Sequence, residues 1–243
     1  MAEVRTDWVS LQVADGTTMR AYSAPPEEGP PRRGLLVFQE AFGVNAHIRD
    51  VAERFAREGY HCLAPELFHR TAPGFEGAYT NFEAVMPHMH ALTEEGLEAD
   101  ARASYAWLSQ NLGASGTPIA CIGFCLGGRV SFLTNSILRI KAAVSFYGGG
   151  IAPNPMTPGL LARTGNLHAP QLLFWGGLDK HIGPEQRRAV NDALNSAGKS
   201  YVNVEFSDAN HGFFCDARAS YHPGAAQQAW ALTNAFLNVH LGN

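Results

Sequence analysis

The stretch that most constrains this chain is Gly123-Phe124-Cys125-Leu126-Gly127-Gly128. A short apolar run, residues 119–122, precedes it, and a helical pattern begins near Arg129. Strand, then G-x-C-x-G, then helix is the setting of a nucleophile elbow. The turn is so tight that small residues must flank the central one, whose side chain is pushed into the open at a helix N-terminus. With Cys in that place, the helix dipole and the neighbouring backbone N–H groups both favour thiolate. The competing interpretation is a Gly-rich packing turn with Cys125 as a small apolar filler.

The rest of the chain supplies the frame such a turn needs. Residues 8–13 alternate as a strand, Asp15-Gly16 turns the chain, and 19–23 can return as the hairpin partner. Residues 24–33, rich in Pro, Gly and charge, read as a surface loop. Residues 34–39 form a buried strand, and Asn45 caps a helix bearing Ile48, Val51, Ala52 and Phe55, which Gly59 stops. Another buried strand spans 60–65. Residues 66–92 break into Pro, Gly, Phe, His and Met, and so form an irregular insertion expected to serve as pocket wall or lid. Its His88-x-His90 pair lacks acidic or thiol partners at ligand spacing, so no metal is expected.

Thr93 with Glu94 and Glu95 opens a helix whose stripe is Leu97, Ala101, Tyr105, Leu108 and Leu112. Beyond the elbow come strands at 142–147, 171–175 and 201–206 and helices from about 184 to 197 and from 223. Strands alternate with helices and no repeat period intervenes. The expectation is a single α/β domain over 1–243, a mostly parallel doubly wound sheet with helices on both faces and its site at the carboxyl ends of the strands.

The totals fit an ordinary soluble globular chain. At 243 residues, 46% hydrophobic and 16% charged, the chain can bury one sizeable core, and a net charge of −4 without a basic tract argues against nucleic acid and anionic membranes. No signal-peptide core or spanning apolar run is seen. Cys62, Cys121, Cys125 and Cys215 form no C-x-x-C, and two lie in apolar runs, so reduced thiols, a cytoplasmic location and no structural zinc are expected.

Three residues fall at strand ends: Cys125, Asp179 in Gly176-Gly177-Leu178-Asp179, and His211 in Asp208-Ala209-Asn210-His211-Gly212. Nucleophile, acid, base is the chain order of α/β-hydrolases, and each gap has room for strand, helix and loop. His211 would serve as base and acid, with Asp179 orienting its imidazole. Glu40, ending the strand before Ala41-Phe42-Gly43, sits in the loop that supplies the second oxyanion donor in such folds.

These motifs, with Gln39-Glu40-Ala41-Phe42-Gly43-Val44-Asn45, Ala64-Pro65-Glu66-Leu67-Phe68 and His211-Gly212-Phe213, resemble the dienelactone hydrolase family from about Gly34 to the C-terminus. The resemblance implies an α/β-hydrolase fold without metal or organic cofactor. It implies Cys125 as nucleophile, His211 as base, Asp179 as orienting acid, the Ala41 and Leu126 amides as the oxyanion hole, and Glu40 as the acid meeting the resting thiol. Family members that open dienelactone hold its carboxylate with two arginines. Here Cys215 stands four residues past His211 and no arginine occurs between Thr71 and Asp100, so a neutral ester or lactone is expected. Phe42, Phe124, Tyr147, Phe213 and Cys215 are candidate pocket residues. The alternatives are carboxymethylenebutenolidase activity proper, promiscuous phosphotriester hydrolysis, a non-catalytic sensor and a redox role for Cys125. A small-molecule substrate is the expected partner, and the chain is expected to act as a monomer or weak homodimer.

Overall fold

The computed structural model describes residues 4–242 and has two compact units, Met1–Ala120 and Cys121–Asn243. Its eight strands make a mostly parallel sheet.

In the first unit β1 (Asp7–Gln12) and β2 (Thr18–Ala24) form the expected hairpin, with Gly16 at φ +87° in its turn. β3 (Arg33–Phe38) leads through α1 (Ala46–Arg57) to β4 (Tyr60–Pro65), which it pairs in parallel, while β2 pairs β4 antiparallel. Asn45 caps α1 by accepting from the Ile48 amide, and Ile48, Val51, Ala52 and Phe55 are all buried as their spacing requires. β4 is buried at every position, so both its faces are covered; α1 and α3 (Glu94–Asn111) pack against it. The irregular 66–92 segment contains one helical turn, α2 (Met86–His90), with Pro87 in its first turn. The Thr93 hydroxyl caps α3 through the Gly96 amide.

The α3 stripe departs from expectation. Tyr105 is only partly covered, whereas Asp100 is fully buried. Arg70 explains the burial: its guanidinium grips Asp100 through two bonds of 2.9 and 2.8 Å and reaches Asp15 at 2.7 Å. A buried carboxylate is tolerable only with such a partner.

In the second unit β5 (Ile119–Phe124), β6 (Ala143–Phe146), β7 (Gln171–Gly176) and β8 (Tyr201–Phe206) pair in parallel in that order. The register aligns Phe124, Phe146 and Phe174, whose rings stack at 4.8 and 4.5 Å into an aromatic ladder through the core. α4 (Leu126–Ile137) packs on β6 and α6 (Pro223–Leu241) on β7, while α5 (Pro184–Ser196) connects β7 to β8. A 3-10 turn at Leu161–Asn166 was not foreseen. Among the described residues no helix is long and apolar enough to cross a membrane.

Candidate active site

The elbow is shaped by its glycines. Cys125 leaves β5 with φ 54° and ψ −112°, a left-handed conformation that costs a non-glycine residue about 1–3 kcal/mol and persists only where surroundings enforce it. They do. A Cβ on Gly123 would run into the Gly127 carbonyl, and one on Gly128 would come within 2.8 Å of the Gly148 Cα and the Phe146 carbonyl. The Cys125 amide donates to the Phe146 carbonyl at 3.0 Å, tying the turn to β6. Leu126, the first helical residue, has an amide with no partner inside the helix. Cys125 is partly exposed.

Asp179 and His211 meet because glycines let their loops approach closely. Gly176 lies where a Cβ would touch the Ala209 carbonyl at 2.6 Å, and the Leu178 amide donates to that carbonyl at 2.9 Å. One Asp179 oxygen accepts from the His181 and Ile182 amides at 2.7 and 3.2 Å. The other lies 2.7 Å from His211 Nδ1. With Nδ1–H given to Asp179, Nε2 is left for Cys125, whose side chain interacts electrostatically with the ring. The His211 ring is flanked by Tyr147 at 5.0 Å and His181 at 5.3 Å.

Burial by itself would lower the His211 pKa, but the negative charge on Cys125 and the bond to Asp179 together raise it to about 10. Burial likewise opposes ionisation of Asp179. The hydrogen bond and charge of His211, with the two backbone amides, outweigh it and leave the carboxyl below its ordinary range.

The structure therefore brings Asp179 and His211 into a hydrogen bond and places Cys125 near enough to His211 to act on its charge. Tyr147 joins them through its ring. Its own φ of +39° marks a second constrained residue beside the elbow. The other candidate pocket residues of this unit, Phe124, Phe213 and Cys215, are fully buried. Phe124 stacks on Phe214 at 5.4 Å and Phe213 packs edge-on to Tyr147 at 5.3 Å, so both sit in the aromatic core.

Glu40, Ala41 and Phe42 lie in the first unit, on the buried loop after β3. The Gln39 side chain donates to the Glu40 carbonyl at 3.2 Å and accepts from the Leu67 amide at 3.1 Å. Ala41 and Phe42 pack on Val85, Phe75, Tyr79 and Met89 of the 66–92 segment. His88 lies among Phe68 and Phe75 rings and bonds the Thr71 hydroxyl.

Comparison with known proteins follows the same path. The Dienelactone hydrolase family pattern matches residues 19–241. The chain belongs to the dienelactone hydrolase family. A Synechocystis protein provisionally named carboxymethylenebutenolidase is 37% identical over 212 residues, 85% of this chain and 86% of that protein. An Escherichia coli O157:H7 protein of the same provisional name is 35% identical, over 89% of this chain and 81% of its own length. The crystal structure of a dienelactone hydrolase, so assigned provisionally, from Klebsiella pneumoniae superposes with TM-score 0.84 at 29% identity, covering 97% of this chain and 98% of that one. A promiscuous phosphotriesterase of dienelactone hydrolase-like fold, from metagenomic libraries, gives TM-score 0.82 at 21% identity, covering 98% and 99%. This dienelactone hydrolase family member is accordingly a hydrolase with the α/β-hydrolase fold.

One neighbour of the site escaped the sequence reading. His181 carries no motif, standing merely two residues past Asp179. The guanidinium of Arg218 lies against Gly212, where a Cβ would collide with it, and thus beside His211 along the chain. Only a fold bringing 218 back onto 212 makes that proximity visible.

Proposed function

We propose that the protein is a cysteine-dependent hydrolase of small esters and lactones that works through an acyl-enzyme on Cys125. The observation carrying this reading is the His211–Asp179 hydrogen bond beside Cys125, whose charge acts on His211 and whose backbone is strained into the elbow conformation. The Cys125 thiolate attacks the carbonyl carbon, and the Leu126 amide at the start of α4 receives the resulting oxyanion. His211 Nε2 then protonates the leaving alkoxide as the tetrahedral intermediate collapses, so the C=O is restored, the C–O bond breaks and the acyl group stays on sulfur. Water, deprotonated by His211, attacks the thioester and releases acid and thiol. Each oxyanion donor is worth about 3 kcal/mol of barrier.

The test is turnover of a p-nitrophenyl ester. Cys125→Ala should fold and show no turnover, iodoacetamide should abolish wild-type activity, and denatured mass spectra should carry a substoichiometric acyl adduct on the peptide holding Cys125. Activity persisting in purified Cys125→Ala sinks the reading.

The substrate class turns on cations. Arg70 is committed to Asp100 and Asp15, and Cys215 is buried, which favours neutral esters. A second reading, dienelactone itself, has the nearness of Arg218 to Gly212 in its favour. Arg218→Gln separates them: loss confined to kcat/KM for dienelactone supports a carboxylate contact, and equal effects on neutral ester and dienelactone refute it.

A further inference from the structure

We propose that Arg187 is a positioning residue that holds the loop carrying Asp179 and so aims its carboxylate at His211; this rests on the reading above, in which both residues serve Cys125. Arg187 carries no motif, and it sits where a cation is out of place. It stands in the first turn of α5, where the helix dipole favours anions, and it is almost wholly buried. A buried guanidinium needs partners for its donors, and here the partners show what it does.

Its Nε and Nη2 donate to the two carboxylate oxygens of Glu205 on β8, at 3.1 and 3.3 Å. That fork fixes the plane of the guanidinium and directs Nη1 at backbone. Nη1 donates to the Ile182 carbonyl at 2.7 Å and, more weakly, to the Gly176 carbonyl at 3.5 Å. Gly176 ends β7, and Ile182 lies just before the Gly183 cap of α5, so one nitrogen ties both ends of the loop that bears Asp179. Ile182 is the link to the carboxylate. Its carbonyl is held by Arg187 while its amide donates to Asp179 at 3.2 Å, beside the His181 amide at 2.7 Å. Those amides fix one carboxylate oxygen, and the other is left facing His211 Nδ1 at 2.7 Å. Leu178 and Lys180, which flank Asp179, are both exposed, so side-chain packing does little to hold the turn. Backbone ties do that instead: the Leu178 amide on the Ala209 carbonyl before the carboxylate, and Arg187 on Ile182 after it. Every member of this support, from Glu205 to His211, belongs to the second unit.

The groups bordering His211 are Asp179, Cys125, the Tyr147 and His181 rings and, at Gly212, the Arg218 guanidinium; replacing Arg187 removes none of them. Arg187→Met should nevertheless lower kcat for an alkyl ester about tenfold, short of the ~10²-fold that a misplacement of about 1 Å can bring. The pH at which the His211 ring loses its proton, followed by NMR, should fall by about one pH unit, the equivalent of that tenfold. The sign follows from Asp179, which stabilises the imidazolium and is less well aimed in the variant. Arg187→Lys, whose ammonium can still reach the Ile182 carbonyl, should recover part of both effects. Arg187→Gln, too short to span the same gap, serves should the Met variant fail to fold. On an Asp179→Asn background the Arg187 substitution should cost nothing further, because the carboxylate it aims is gone. A folded Arg187→Met or Arg187→Gln protein with the wild-type His211 titration overturns this role. So does one that loses as much activity on Asp179→Asn as on wild type. Turnover that survives alkylation of Cys125 overturns the acyl-enzyme reading instead, and the His211 titration still decides the role of Arg187.

Discussion

Two of the turns that follow strands and open helices in this protein are held in opposite ways. The turn after β5 is fixed by its own backbone: Gly123 against Gly127 and Gly128 against Gly148 leave Cys125 no other conformation. The loop after β3 is fixed from outside, by Gln39, by Leu67, and by residues 75–79 of a segment with little regular structure. Steric enforcement among neighbours is compact and unforgiving. Bracing by remote side chains is adjustable, since each brace can be changed without rebuilding the loop.

The largest expected effect on Cys125 reactivity tests the first half of that contrast. Gly123→Ala must push a methyl group into the Gly127 carbonyl, and should cost at least the ~1–3 kcal/mol of an overpacked core, showing as a large drop in Tm with loss of Cys125 reactivity. Retained Tm and alkylation rate would mean that the elbow is not self-enforced. Asp100→Ala probes the second half at its root. It strands the buried end of Arg70 and should destabilise by about 3–5 kcal/mol in chemical denaturation, while Cys125 alkylation in the folded fraction keeps its wild-type rate.

A pH series separates the two regions next. His211 has its pKa raised from 6.5 to about 10, so its share of stability is fully present below about 6.5 and lost as pH climbs through about 10. Asp179 is lowered from 3.8, so its share is present above that value and lost as pH falls through the lowered one. Tm should thus be highest between these limits and decline on the alkaline side. In Cys125→Ala, which lacks the chief group raising the His211 pKa, the decline should begin at lower pH. An unshifted profile would show that the thiol does not set the charge of His211. The smallest effect belongs to Asn45→Ala. Removing the α1 cap and the Tyr79 bond should cost about 1–2 kcal/mol in Tm-derived stability, with a modest fall in kcat.

Local enforcement is also what made half of this molecule legible from its residues. The elbow, the caps at Asn45 and Thr93 and the β8 boundaries all follow from interactions within four residues or from simple alternation. Asp179 and His211 were found because chain order at strand ends survives any loop geometry. What escaped was long-range. Asp100 looks like a solvent carboxylate until Arg70, thirty positions earlier, is placed beside it, and nothing in 75–79 announces that it clamps Phe42 and Asn45. The helical turn at Met86–His90 was hidden in a segment whose Pro and Gly content argues for irregularity.

Three of the four thiols are sealed. Cys62, Cys121 and Cys215 have no accessible surface, and burial pushes the Cys62 thiol well up and that of Cys121 to about 12. Chemically, then, the native protein counts as monothiol. A maleimide or a disulfide reagent added in excess should titrate one equivalent before denaturation and four after it, which makes the fraction of live sites in any preparation countable without a substrate. The same arithmetic lets a dye or spin label be placed at the elbow without first stripping cysteines from the chain.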